Sequence, residues 1–301
     1  MENGPVIPLA YHLISDIPEA KRLATVLGLP FIHKSITPKD IPLYLGRKHH
    51  GPMRLLKADS HKSNVEHLAT LDKQEIGNPG LLYLDNNRLT LFCCTSISKQ
   101  PLSLSLDFTA PKMRTMAREQ NKKTLLAKAI GAKSMGESTW IVDATAGLGQ
   151  DAFMLAYMGY KVTLIERSSI VATLLSHAIS KVRPDSWAFS TVHRMHLLHR
   201  DAKQWLTEQS EMLKSTQKPA VVYLDPMFPH RDKKSLSQKS MQILQQLLGQ
   251  DLDAETLLPL AKSVATERVV VKRHRASPHL CNEIPQIIFE GKSHRFDVYL
   301  I

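Results

Sequence analysis

Cysteine is scarce: the 301 residues hold three, with Cys93 and Cys94 adjacent, Cys281 far from both, and no Cys-x-x-Cys pair. That count and spacing exclude a disulfide framework and a cysteine-built zinc site, so the three read as reduced structural residues and no metal is expected. Long apolar runs are missing too. The longest, such as Val221 to Leu224 and Val269 to Val271, have strand length, far short of the roughly 20 residues that cross a bilayer. Residues 1–13 lack a basic segment followed by an apolar one, so no secretion signal and no membrane partner are expected, and the expected compartment is the cytoplasm. Acids are also in deficit, with 28 Asp and Glu against 39 Lys and Arg, for a formal charge of +11. The deficit is uneven: residues 1–110 hold 12 cations against 10 acids, and residues 111–301 hold 27 against 18. Such a surface either aids solubility or holds a polyanion. Phosphate neutralisation supplies most non-specific nucleic-acid affinity, which favours a nucleic-acid partner.

What is present suits a large α/β domain with a smaller companion. Residues 1–110 read as a small α+β domain. There "PLAYHLI" is strand-like, Asp16 caps a helix with Pro18 in its first turn, and Gly28 ends it. "GLLYLDNNRLTLFCC" is two strands about an Asn86-Asn87 turn, and "LSLSLDF" alternates like a half-buried strand. Residues 111–136 read as a basic connector, helical toward its end. It carries Lys112, Arg114, Arg118, Lys122, Lys123, Lys128 and Lys133 against Glu119, and a solvated helix face has the same pattern.

Residues 137–301 alternate strictly between strand and helix. "TWIVDA", "YKVTLIE", "MHLLHR", "AVVYLD" and "RVVVKR" are strands with helical segments between them, and "QIIFEGKSHRFDVYLI" closes as a hairpin. Repeated β-α units build a parallel sheet covered on both faces, with ligands gathering at the carboxyl ends of the strands. An antiparallel closing strand is uncommon in nicotinamide-binding domains and usual in methyltransferases. The expected fold is therefore α/β, a Rossmann-like methyltransferase sheet with a terminal antiparallel hairpin.

In "WIVDATAGLGQD", Asp143 ends a strand, Gly147 and Gly149 occupy the turn, and Gln150 and Asp151 open a helix. Glycines let the backbone curl beneath a ligand where a Cβ would collide. Gly147-x-Gly149-x-x-Ala152 also fits a loose dinucleotide fingerprint. Two acids argue for another ligand: in a dinucleotide site the strand runs almost straight into the first glycine, whereas Asp143, a candidate cofactor contact, comes four residues before Gly147. A helix N-terminus that faces a diphosphate does not welcome Asp151, whereas a carboxylate suits the ammonium group of S-adenosylmethionine. Glu166 ends the next strand, 23 residues after Asp143, where an acid accepts from ribose hydroxyls in either kind of site. Asp201 follows the third strand, as an adenine contact or as a helix cap.

"VVYLDPMFPHRDKK" puts Asp225 at the end of the fourth strand, in an Asp-Pro-Met-Phe segment that resembles the [Asp/Asn]-Pro-Pro-[Tyr/Phe] signature of amino methyltransferases. An exocyclic base amine is a poor nucleophile because its lone pair is delocalised. Asp225 and the carbonyl of Pro226 can each accept one of its N–H groups and aim the lone pair at a methyl donor, while Phe228 stacks on the base. Arg231, Lys233 and Lys234 leave this strand end, and Lys272, Arg273 and Arg275 leave the next, as an expected rim for RNA phosphates. The same residues leave open an adenine or protein-amide N-methyltransferase, an NAD(P)-dependent oxidoreductase, or a non-catalytic RNA-binding protein.

"DATAGLGQDAF", "VVYLDPMFPH", "QDLDAETLL", "RVVVKR" and "HRFDVYL" together resemble the ribosomal small-subunit RNA guanine-N2 methyltransferase family, RsmJ, over roughly residues 100–301. The resemblance implies a cytoplasmic enzyme that uses S-adenosylmethionine to methylate the N2 amine of one guanosine near the 3′ end of small-subunit (16S) ribosomal RNA. Its substrate would be that RNA or the assembled small subunit. It also implies cofactor contacts at Gln150, Asp151, Glu166, Arg167, Asp201, Ala202 and Asp225. One stretch departs from the family. Before "LLAKAIG" the family carries an Arg- and Gly-rich segment, and this chain has "RTMAREQNKK", which keeps Arg114 and Arg118 but no glycine.

Overall fold

The computed structural model describes residues 9–11, 20, 80–85, 88–93, 102–121, 123–132, 136, 139–212, 218–226 and 254–301. The expected helix between Asp16 and Gly28, the Asn86-Asn87 turn, and Phe228, Arg231, Lys233 and Lys234 lie outside them. The chain divides into two units, Met1–Ser105 with Asp232–Gly249, and Leu106–Arg231 with Gln250–Ile301.

The first unit holds a four-stranded sheet of β1 (Leu9–Tyr11), β2 (Gly80–Asp85), β3 (Arg88–Cys93) and β4 (Leu102–Ser105), in that order. β1 runs parallel to β2, and the other pairs are antiparallel. Alternation sets its faces. Leu89, Leu91 and Cys93 of β3 are buried, and Leu89 and Leu91 lie across from Leu84 and Leu82, which are buried with them.

The second unit opens with α1 (Pro111–Glu119) and α2 (Leu125–Ala129). Both helices contribute residues to the core of this unit. Met113 and Ala117, one turn apart, join Leu126, Ala127 and Ala129 in the core, while Lys112, Arg114, Arg118, Lys123 and Lys128 face outward. Lys112, Arg114 and Arg118 thus make the outer face of α1, and Lys128 that of α2. Pro111 suits the first turn of α1, where its missing N–H costs nothing, and the Thr124 hydroxyl caps α2 by accepting from the Ala127 N–H.

There follow β5 (Trp140–Asp143), α3 (Gln150–Tyr157), β6 (Lys161–Glu166), α4 (Ser169–Ser180), α5 (Phe189–Val192), β7 (Met195–His199) and α6 (Ala202–Met212). The chain ends through β8 (Val221–Leu224), α7 (Ala254–Val264), β9 (Arg268–His274), β10 (Ile287–Glu290) and β11 (His294–Leu300). The strands form one seven-stranded sheet in the order β10-β11-β9-β8-β5-β6-β7. Strands β5 to β9 are mutually parallel, and β11 runs antiparallel between β9 and β10. This is the doubly wound sheet with the closing hairpin that the alternation pattern leads one to expect.

Both faces are covered, so the central strands are apolar on both sides rather than alternating with polar residues. Ile141, Val221, Tyr223 and Val270 pack on the face with α1 to α4; Val142, Val222, Leu224 and Val271 pack on the other, with α6 and α7. From β5 the chain winds outward through β6 and β7, then returns to β8 on the other side of β5. In a sheet of this order ligands bind in the crevice outside the carboxyl ends of β5 and β8, where the winding reverses.

Candidate active site

The floor of the crevice is the turn between β5 and α3. Gly149 caps α3 at φ 68°, and a Cβ there would come within 2.7 Å of Leu175 Cδ1. No other residue type suits both the left-handed backbone and that packing. Gly147, at φ 51°, has the opposite surroundings: a Cβ would meet nothing nearer than the Thr145 carbonyl at 3.9 Å. Its outer side is open to a ligand. Glu166, at the end of β6, braces this turn. Its two carboxylate oxygens accept the Gly147 N–H at 2.9 Å and the Ser168 N–H at 2.7 Å.

Asp201 accepts the Gln204 N–H at 2.9 Å through one oxygen, so it caps α6 just before Ala202. Gln150 and Arg167 are exposed around the crevice, and the Arg167 carbonyl contacts His199 Nε2 at 3.3 Å.

At the reacting end three acids meet one cation. Lys272 Nζ lies 2.6 Å from Asp151 Oδ2 and 3.0 Å from Asp225 Oδ2. The Tyr223 hydroxyl donates to Asp151 Oδ2 at 2.7 Å, and the Asp225 N–H donates to the Thr145 hydroxyl, which ties β8 to the β5 turn. Asp143 lies beneath, 2% exposed, and accepts the Thr145 N–H at 3.2 Å. Pro226 is buried behind Asp225.

Burial differentiates the acids. It pushes Asp143 well above the usual carboxyl range, and the negative charge of Asp151 adds to the rise. Burial also raises Asp225; Lys272 opposes this, and Asp151 reinforces it. For Asp151 burial acts in the same direction, but the Lys272 ammonium and the Tyr223 hydrogen bond outweigh it and hold the carboxyl below its usual value. Lys272 resists the deprotonating effect of burial because Asp225 and Asp151 hold it as an ammonium, above its usual value. Tyr223 is driven well above the usual phenol range by burial and Asp151, so it remains a donor. Burial and Lys272 lower His294.

Of the expected phosphate rim, Lys272, Arg273 and Arg275 are described, and they point different ways. Lys272 points into the crevice between two carboxylates. Arg273, the next residue on β9, points to the other side of the sheet, is buried, and donates from Nε at 3.0 Å and Nη2 at 2.6 Å to the Pro278 carbonyl. Arg275 is exposed and pairs with Glu290 at 3.1 Å. Strand alternation explains the split, since neighbours on a strand face opposite ways. Tyr223, Thr145 and His294 escaped the sequence reading. Tyr223 had a signal, because it stands two residues before Asp225 and so shares its side of β8.

The crevice suits a cation-bearing ligand. Acidic groups outnumber the single ammonium, and the open backbone at Gly147 leaves room above the turn. Among the described residues no cluster of three or more His, Cys, Asp or Glu could hold a metal ion, and no helix is long and apolar enough to cross a membrane. The sheet order, the closing hairpin and an acid-lined glycine turn at the switch point define an S-adenosylmethionine-dependent methyltransferase. A family described as "Putative SAM-dependent methyltransferase" matches residues 66–301. Two similar proteins carry the name ribosomal RNA small subunit methyltransferase J. One, from Thioalkalivibrio sulfidiphilus, is 39% identical over 228 residues, 75% of this chain and 87% of the relative. The other, from Aeromonas hydrophila, is 47% identical over 177 residues, 58% of this chain and 68% of the relative. A crystal structure of an S-adenosylmethionine-dependent methyltransferase from Neisseria gonorrhoeae superposes with a TM-score of 0.61 at 25% identity, covering 97% of this chain and 95% of that one. The chain belongs to the ribosomal RNA small subunit methyltransferase J family, and its cofactor is S-adenosylmethionine.

Proposed function

We propose that this chain methylates the exocyclic N2 amine of a guanosine in small-subunit (16S) ribosomal RNA, acting in the cytoplasm on the RNA or on the assembled small subunit. The observation that carries this reading is Asp225, followed by Pro226 at the carboxyl end of β8 and held beside the glycine turn by Thr145 and Lys272.

Bound, S-adenosylmethionine supplies an electrophilic methyl group on a sulfonium. Asp151, kept ionised by Lys272 and Tyr223, receives the cofactor's ammonium. Glu166 takes ribose hydroxyls; a carboxylate offers roughly four acceptor positions, so bracing the turn and binding hydroxyls are compatible. Asp201, with Ala202 beside it, holds the adenine amine through the oxygen that does not cap α6, while Gln150 and Arg167 border the pocket. Asp143 supports the turn from below. Asp225 and the Pro226 carbonyl accept the two N–H groups of the guanine amine, which turns its lone pair away from the ring and toward the methyl group. As the nitrogen becomes positive, the Asp225 carboxylate stabilises it and receives the proton it sheds. Phe228 stacks on the base, and Arg231, Lys233 and Lys234 hold flanking phosphates, roles that rest on the sequence.

The test is methylation of small subunits from a strain lacking the enzyme, followed by nucleoside mass spectrometry. N2-methylguanosine is expected; no product, or methyl on adenine or on a protein, would refute the reading. Asp225→Ala should slow single-turnover transfer by roughly 10² or more, the range for losing a preorganised electrostatic contact. Asp225→Asn should be milder, because its amide oxygen still accepts a hydrogen bond.

A further inference from the structure

Lys272 does something other than hold phosphate. We infer that it is a positioning residue for methyl transfer: by bridging Asp151 and Asp225 it fixes the Asp225 carboxylate, in ionised form, where the substrate amine is accepted. This rests on the role of Asp225 given above.

The register of the sheet puts Lys272 there. β8 and β9 are parallel with Leu224 beside Val271, so the next residues outward are Asp225 and Lys272. On its other side Lys272 pairs with Phe296 of β11, so its backbone belongs to an inner strand rather than a loop. The side chain is 26% exposed and reaches both carboxylates within 3.0 Å. Solvent screens such a pair less than it screens one on the surface. One ammonium thus joins the helix at the glycine turn to the strand end that carries the acceptor acid.

Charge balance makes the bridge consequential. The groups around the ammonium are Asp143 at the end of β5, Asp151 on α3, Tyr223 and Asp225 at the end of β8, and His294 on β11. Burial and Asp151 favour the neutral form of Asp225, and Lys272 is the main opposing influence. A protonated Asp225 would turn an acceptor toward the amine into a donor and lose the charge that stabilises a positive nitrogen. Lys272 stays an ammonium and moves no proton.

Lys272→Met keeps the length of the stem and removes the charge, while Lys272→Arg keeps the charge. The first measurement is the carboxyl 13C NMR titration of Asp225 in the full chain without cofactor. The second is the pH profile of single-turnover transfer to small-subunit RNA. In Lys272→Met the Asp225 titration and the acidic limb of the profile should move together to higher pH. The neutral-pH rate should fall about tenfold or more and recover in alkali. Lys272→Arg should restore the limb. Asp151→Asn is the second variant, since it removes the competing acid: the Asp225 titration should then move to lower pH. An Asp225 titration unmoved in Lys272→Met overturns the inference even if the rate or the affinity for S-adenosylhomocysteine falls. Should Lys272→Met not fold, an unmoved titration in Asp151→Asn does the same. If Asp225→Ala transfers methyl at the wild-type rate, the reading of Asp225 fails instead, whatever the titrations show.

Discussion

Asp143, Asp151 and Asp225 are the same side chain in three electrostatic settings, and only the folded chain separates them. Asp151 has Lys272 and Tyr223 as partners, Asp225 shares that lysine, and Asp143 has a main-chain N–H and little else polar. A buried carboxyl whose folded pKa lies above its unfolded value of about 3.9 binds its proton more tightly when folded. Stability therefore falls as pH rises from the ordinary carboxyl range through the raised folded value. Asparagine in place of Asp143 does not titrate and can still accept the Thr145 N–H. Asp143→Asn should accordingly raise the melting temperature at neutral pH, with a gain that shrinks to nothing in acid. Thermal denaturation across that pH range checks it, and a gain independent of pH would mean that Asp143 does not carry the raised pKa. Asp143 and Asp225 were legible in the sequence because each directly follows a short apolar run. The partner of Asp225 was not, since Lys272 lies 47 residues away and only the β8–β9 register brings them together.

At the scale of elements, the sheet was readable because buried parallel strands are short apolar runs separated by helical periodicity, a local signal. The two helices at 111–129 were readable only in part. Their cations are obvious, but the small core residues Ala117, Ala127 and Ala129 are inconspicuous beside them. The brace between β6 and the β5–α3 turn was not readable at all. Glu166 looked like a ribose acceptor, and the structure adds that it accepts main-chain N–H groups from two loops. This has a consequence for substitution. Glutamine has one acceptor oxygen and a donor NH2, so in Glu166→Gln one of the two N–H groups faces another donor. The exchange should weaken S-adenosylhomocysteine binding by about 1 to 3 kcal/mol in a chain that remains folded, the cost of an unpaired polar group together with a lost charged acceptor. Isothermal titration would show it, and unchanged affinity would remove Glu166 from the cofactor site.

Across the whole molecule the excess of cations is the feature that composition announced first, yet the structure redistributes it. Two of the three rim cations on β9 and just beyond are committed to internal partners, and the third is paired with Glu290. The outward face of α1 is different: Lys112, Arg114 and Arg118 are exposed, and among the described residues none forms an ion pair. This face belongs to the same unit as the crevice. The segment leading into α1 packs against α3, where Phe108 stacks on Phe153 at 5.0 Å, one turn beyond the glycine floor. A polyanion held on α1 would therefore be bound by the unit that carries the crevice. Phosphate contacts release counterions, and each contributes about 0.7 to the slope of log affinity against log salt for a single strand. Reversing all three charges, with Lys112→Glu, Arg114→Glu and Arg118→Glu, should weaken RNA binding and flatten that slope by about 2. Cofactor affinity should not change, because none of the three side chains is among the groups of the acid cluster. Filter binding of a small-subunit RNA fragment over a series of salt concentrations measures the slope. A triple variant with the wild-type slope would move the phosphate-binding face away from α1 and leave the excess charge of this helix to solubility alone.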